Sequence, residues 1–328
     1  MTHLASRRPR LRRAALALTG AALALALAAC SAPATGDSGS GSGGTDTRSV
    51  STPEGTVTVP SHPKRIVSVH AWTTESLLDF DVAPVGVDNG GEQYVPARYL
   101  ADWKKTEKVT DAGTIDFEKI AALKPDLIVG VDVPYLKDAY AKLSAIAPTA
   151  FAPFDDDSTW QDYPKYTADF ANTRSRYEAL KKTYDDRVAS VSSAYAGQLA
   201  TVKWDVIQGG FDAGNYWIYS DTSPVGAILK QLGAQFASAT AGTKAGDNQS
   251  VSYEKTGLLS DADALIYYTN NDGTPANNID KLFALQSYQD LPAVAGGHAV
   301  GTPDFLPGSY SDALGVIDAI EKNLKTFK

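Results

Sequence analysis

The sequence predicts an α/β protein of two similar lobes, each with a mainly parallel sheet covered by helices, and a long helix between them. Three observations carry this. Strands and helices alternate from about residue 56 to the C-terminus, and such alternation builds parallel sheets. A supersecondary unit also occurs twice. Asp116–Val129 reads as an amphipathic helix (Phe117, Ile120, Leu123), a stop at Pro125 and a buried strand, Leu127-Ile128-Val129. The same grammar returns as Tyr253-Glu254-Lys255, Leu258-Leu259 and Asp263-Ala264-Leu265-Ile266-Tyr267, with one extra residue before the Asp. Finally, residues 158–198 contain no Gly before Gly197 and only one Pro, Pro164. There Tyr177, Leu180, Tyr184, Val188, Val191 and Tyr195 keep one helical face.

Taken in order, residues 1–29 read as an export signal peptide. Arg7, Arg8, Arg10, Arg12 and Arg13 precede the apolar run Ala14–Ala29, which is too short and too Ala-rich for a comfortable membrane span. Leu27-Ala28-Ala29-Cys30-Ser31 resembles a bacterial lipobox, in which Cys30 is lipidated and becomes the mature N-terminus. The alternative, cleavage after a small residue, would leave a free secreted thiol, which is a liability. Residues 30–50 hold a Gly/Ser-rich run and almost no apolar side chain, and read as a flexible tether outside the fold.

The first lobe is read as residues 51–157. It has strands at Thr56–Val59, Arg65–Val69 and Pro84–Val87, and a helix at Thr74–Phe80 with Thr73 or Thr74 as cap. Pro96–Trp103 and Pro134–Ile146 are helices, and Thr149–Phe151 is a last strand. The helical stretch 158–198 follows, and then the second lobe, 199–328. Its strands are Asp205–Gln208, Trp217–Tyr219, Ala264–Tyr268 and one near Ala299–Gly301. Its helices are Pro224–Leu232 stopped by Gly233, one near Ile279–Leu285, and Tyr310–Phe327 capped by Ser309 or Ser311.

The formal charge is −8 over 328 residues, and setting aside the five N-terminal arginines makes the remainder more acidic. Such a surface argues against nucleic acid, which rewards basic stripes. A single Cys excludes an intramolecular disulfide and a cysteine-rich metal site.

The two Glu-to-Asp-Leu-Ile units, with Pro63-Lys64-Arg65-Ile66-Val67-Ser68-Val69, Glu75-Ser76-Leu77-Leu78 and Pro84-Val85-Gly86-Val87, resemble the substrate-binding proteins of iron-siderophore and cobalamin ABC importers. The resemblance runs over roughly residues 56–327. It implies two Rossmann-like lobes joined by a long backbone α-helix, here 158–198, and a binding protein rather than an enzyme. The implied partners are a ferric siderophore, an importer permease and the membrane through the lipid anchor, with the protein a monomer. In that family two glutamates dock onto permease arginines, which by motif position implies Glu118 and Glu254. Their residue-level alternative is a carboxylate offsetting a helix dipole, worth about 0.3–1 kcal/mol.

Ligands of open α/β sheets bind beyond the carboxyl ends of the strands. The residues expected there are His70-Ala71-Trp72, Asp88-Asn89 with Tyr94 and Arg98, and Asp132 with Tyr135. In the second lobe they are Phe211, Tyr216, Trp217, Asn270-Asn271, Phe305 and Tyr310. Any single aromatic can pack under its own loop; the recurrence points to an aromatic cleft of Trp72, Tyr94, Tyr135, Trp217, Phe305 and Tyr310. Arg98 is nearly its only expected cation. An anionic chelate such as a ferric tris-catecholate or ferric citrate would need several cations, so the cleft suits a neutral or cationic ferric hydroxamate. Arg98 would donate to the hydroxamate oxygens, and aromatic faces would meet a pendant ammonium by cation–π contact. Cobalamin, heme and a catecholate siderophore remain alternatives.

His62, His70 and His298 are too scattered to hold a metal, so iron would arrive with its chelator and no cofactor is expected. The acidic run Asp155-Asp156-Asp157 lacks the spaced ligands of a calcium loop. No Gly-x-Ser-x-Gly elbow, His-Glu-x-x-His or P-loop is present, which leaves an extracytoplasmic hydrolase on a similar frame as the reading from another class.

Overall fold

The computed structural model describes residues 46–111, 113–212 and 214–327. The expected signal peptide, Cys30 and the tether up to residue 45 lie outside the described residues. The end of that tether belongs to the fold: β1 (Thr47–Thr52) pairs antiparallel with β2 (Gly55–Pro60). Period-two alternation buries Val50 and Val59 and turns their neighbours outward.

The first sheet is all parallel. Its chain order is β3 (Ile66–Ser68), α1 (Ala71–Asp79), β4 (Gly86–Val87), a 3₁₀ turn (Glu92–Tyr94), α2 (Ala97–Lys105) and β5 (Glu107–Lys108). A small hairpin of β6 (Thr110–Asp111) and β7 (Thr114–Ile115) leads to α3 (Phe117–Ala122) and β8 (Leu127–Val131). Then come α4 (Pro134–Lys137), α5 (Tyr140–Ser144) and β9 (Thr149–Ala152). The spatial order β5-β4-β3-β8-β9 reverses direction between β3 and β8, the kind of switch point that opens a crevice. All of β8 is buried, which explains its unbroken apolar run.

Local chemistry sets these elements. Asp116 caps α3 by accepting from the Lys119 N–H at 2.9 Å. The carboxylate of Asp126 accepts from the Lys64 and Arg65 N–H groups at 2.8 and 2.9 Å, clamping the start of β8 beside β3. Helix α1 is capped by His70, whose Nδ1 accepts from the Trp72 N–H, rather than by Thr73 or Thr74, which lie inside it. The helix expected at 134–146 breaks into α4 and α5.

The long helical stretch is three helices: α6 (Asp162–Ala171), α7 (Arg174–Ala194) and α8 (Ala196–Thr201). Asn172 ends α6 in the left-handed region, φ 57°, which Asn tolerates better than most residues.

The second sheet contains β10 (Lys203–Gly209), β11 (Asn215–Tyr219), α9 (Pro224–Leu232), β12 (Gln235–Phe236), α10 (Ser238–Gly242) and β13 (Asn248–Ser252). It continues with a 3₁₀ helix (Tyr253–Leu259), β14 (Ala264–Tyr268), α11 (Ile279–Phe283), α12 (Gln286–Gln289), α13 (Pro292–Ala295), β15 (Ala299–Thr302) and α14 (Tyr310–Leu324). The order is β13-β11-β10-β14-β15, with β12 beside the start of β10. β10, β12, β14 and β15 run parallel and β11 and β13 antiparallel, so this sheet too is mainly parallel, with a mixed edge. The unit around Glu254 forms a 3₁₀ helix, with Lys255 outside helical geometry, rather than an α-helix.

Helix α7 buries Tyr177, Tyr184 and Val191 and lies against α14 and α9. Arg187 on its outer side reaches Asp318 (2.8 Å) and Glu321 (2.7 Å) of α14. Thr45–Lys328 forms one compact unit. One hydrophobic core runs from Val50 to Leu324 through both sheets; a smaller one gathers around Ile207, Tyr216 and Leu265. Among the described residues no helix is long and apolar enough to cross a membrane.

Candidate functional site

A cavity of about 230 Å³ lies between the carboxyl ends of the two sheets. The first-sheet half supplies Trp72 and Glu75 from α1, Asp88 after β4, and Tyr94, Tyr99 and Trp103. The second supplies Gln208, Phe211, Tyr268, Asn277, Asp304 and Asp312. Trp72 is held by stacking on Tyr163, centroids 4.4 Å apart and planes 13° apart, with His70 on its flank at 4.6 Å. Burial lowers the pKa of His70 to about 4, so the imidazole that caps α1 stays neutral.

Polar bonds cross the cavity mouth. Tyr94 donates to Asn277 Oδ1 at 2.7 Å. Asn271 donates from its side chain to the Glu92 and Val95 carbonyls at 2.9 and 3.1 Å. The α1–α14 contact closes the floor, where Ser76 donates to the Gly308 carbonyl at 2.5 Å and Ser311 to Asp79. A Cβ at Gly308 would overlap Glu75 Oε2 and the Trp72 backbone, so only glycine lets the 303–309 loop approach α1 this closely.

The charges are unevenly matched. Arg98 binds Asp304 in a fork, Nη1 to Oδ1 at 2.6 Å and Nη2 to Oδ2 at 2.9 Å, and also reaches Asp312. Burial and then the neighbouring Asp312, Asp88 and Asp304 push Glu75 well above the carboxylate range. Burial raises Asp88 to about 6 and Asp312 to about 7, outweighing Arg98 in the latter case. Four carboxyl groups thus line the cavity, with one guanidinium bound to two of them. No lysine, arginine or histidine lines it among the described residues.

A model of the periplasmic binding protein family matches residues 65–305. The chain belongs to the periplasmic binding protein family. A siderophore periplasmic binding protein from the fuscachelin gene cluster of Thermobifida fusca superposes with a TM-score of 0.71 at 30% identity, over 81% of this chain and 98% of that one. The ferric enterobactin-binding periplasmic protein FepB of Escherichia coli is 27% identical over 84% of this chain and 90% of its own. The iron(3+)-hydroxamate-binding protein YxeB of Bacillus subtilis is 27% identical over 58% of this chain and 56% of its own. This periplasmic binding protein is accordingly a substrate-binding protein and not an enzyme.

Within the binding protein, the structure brings only some of the expected cleft residues together. Trp72 and Tyr94 line the cavity. Arg98 does not present a free guanidinium, because its donors are taken by Asp304 and Asp312. Tyr135 is 47% exposed and lies outside the lining. Trp217, on β11, is outside the lining and meets Phe211 edge-on at 4.9 Å; Phe211 is the one that lines the cavity. Phe305 is buried between Tyr219 and Tyr268, and Tyr310 is sealed among Trp160, Tyr177 and Tyr184. The loop after β15 turns inward, so its aromatics become core.

Sequence reasoning missed Glu75, Asp304 and Asp312 as cavity residues. Glu75 follows Trp72 by three positions on α1, a spacing that puts both on one helical face, and this was the available signal. Glu118 and Glu254 are both exposed, each in the first turn of its helix, and neither is in an ion pair among the described residues.

Proposed function

We propose that this protein captures a ferric siderophore of the hydroxamate type between its two sheets and delivers it to the permease of an ABC importer. The observation that supports this is the cavity wall: aromatic on both sides, with the one guanidinium near it among the described residues, Arg98, committed to Asp304 and Asp312. A triply anionic chelate would meet carboxylates there, at a high desolvation cost. Iron enters inside its chelate, which supplies every metal bond, and the protein needs no cofactor. At about 230 Å³ the cavity is smaller than the ~300–1,000 Å³ that encloses drug-sized ligands, so uptake moves its walls apart. Cys30 carries the lipid that holds the protein, a monomer, at the outer face of the membrane, and Glu118 and Glu254 meet the permease.

The test is a titration of the purified protein with a ferric tris-hydroxamate, a ferric tris-catecholate and ferric citrate, followed by tryptophan fluorescence. The hydroxamate quenches Trp72, with weak salt dependence, and is recovered chemically intact. Tight catecholate binding that falls steeply with salt overturns the reading.

A further inference from the structure

We propose that the bound chelate carries a primary ammonium, received by Glu75 with Asp88 beside it on the first-sheet wall of the cavity. This rests on the siderophore reading above and narrows it.

Of the four carboxyl groups that line the cavity, Asp304 and Asp312 already share Arg98. Asp88 accepts from Thr74 Oγ1 at 3.4 Å. Glu75 lies beside Asp312, and burial together with that neighbour favours its protonated form. Its Oε2 is sealed from bulk solvent and meets no hydrogen-bond donor, yet the residue lines the cavity. Oε2 lies under the Gly308 backbone, so a ligand reaches this carboxyl group from the cavity that the residue lines. An ammonium takes the place of the proton that Glu75 releases, its charge offsetting Glu75 and Asp88 and its three N–H groups serving their carboxylate oxygens. Trp72 and Tyr94 line the same space and add aromatic surface beside the cation. A neutral chelate would leave Glu75 as it is, and an anionic one would add repulsion.

The experiment uses two probes: a linear ferric tris-hydroxamate ending in a free primary amine, and the same chelate N-acetylated. Affinities are measured by calorimetry for the parent, Glu75→Gln and Asp88→Asn, with far-UV spectra to establish that each variant is folded. The parent binds the free amine about ten- to a hundredfold more tightly than the acetylated chelate. Glu75→Gln erases that difference, and Asp88→Asn reduces it. If Glu75→Gln fails to fold, the parent's own preference between the two chelates decides. Equal affinity of the parent for both overturns the ammonium site and leaves the hydroxamate reading standing. Failure to bind either overturns the hydroxamate reading and this inference with it.

Discussion

In the first half of the molecule Asp116 caps an α-helix, and the strand that follows enters an all-parallel sheet. In the second half Ser252 caps a 3₁₀ helix through the Glu254 N–H, and the following strand enters a sheet with two antiparallel members. Toward solvent the halves agree, for each sets an exposed Glu in a first helical turn. Toward the cavity they differ. The first half supplies Glu75, Asp88 and the guanidinium, while the second supplies Asp304 and Asp312, the two carboxylates that take that guanidinium. The outward likeness follows from a short repeated unit, since a helix N-terminus needs only a few adjacent residues. The inward difference comes from loops that are not repeated.

The likeness is broken most severely by Glu118→Arg with Glu254→Arg. If the two ends recognise a permease together, uptake of the iron chelate into cells is abolished by charge repulsion, while chelate affinity and Tm match the parent. Each single variant retains part of the uptake, because exposed pairs contribute only about 0.2–1 kcal/mol. Normal uptake by the double variant removes the docking role.

Next in size is the tie between the halves. Arg98→Ala leaves Asp304 and Asp312, 6% and 0% exposed in their side chains, without their cation. Thermal or urea unfolding should show a loss of about 2–4 kcal/mol, reduced from a fully buried case because Arg98 is one-third exposed. An unchanged Tm would mean that Arg98 is a surface ornament and the halves are held elsewhere.

The aromatic walls give a smaller, asymmetric effect. Trp72→Ala should weaken chelate binding by about 1–3 kcal/mol. Trp217→Ala, acting only through Phe211, should cost less than about 1 kcal/mol. Equal losses would place Trp217 in direct contact with the ligand, which its place outside the cavity lining argues against.

A last effect, confined to the second half, concerns Asp205, buried in β10 with Oδ2 unpartnered while Oδ1 accepts from the Thr240 N–H at 2.8 Å. Burial raises its pKa from 3.8 to about 6. Between those values the folded state holds a proton that the unfolded state releases, so this group's contribution to stability falls as pH rises through the window. Asp205→Asn, which keeps the acceptor, should therefore exceed the parent in stability by up to about 3 kcal/mol at pH 7.5. The advantage shrinks as pH falls through 6 and vanishes below 3.8. A pH-independent difference would show that Asp205 titrates alike in the folded and unfolded chains, with no shift from burial.

Much of the scaffold was legible in residues close together along the chain. Helix α9 begins at Pro224 after the Ser223 cap and ends at Gly233, φ 91°, where serine, proline and glycine chemistry puts those boundaries. Ser309 caps α14 as its position suggested, and Leu127–Val129 is the buried strand that its β-rich apolar run implies. The periodicity of 174–194 marked a single helix, though not the break at Asn172.

What the tertiary structure decided is the lining of the cavity. Phe305 and Tyr310 look like loop aromatics in the chain but face the core, because the path between β15 and α14 turns them inward. Arg98 looks like a ligand donor until Asp304 and Asp312, 206 and 214 residues away, are brought against it. Glu75 is one more helical glutamate until the backbone at Gly308 closes over its carboxyl group. Caps, turns and strand patterns arise from neighbours a few residues apart, whose interactions are the same wherever the segment lies. Burial, charge pairing and the side chains that face a cleft depend on groups from distant segments meeting in space, and on the water they exclude when they do.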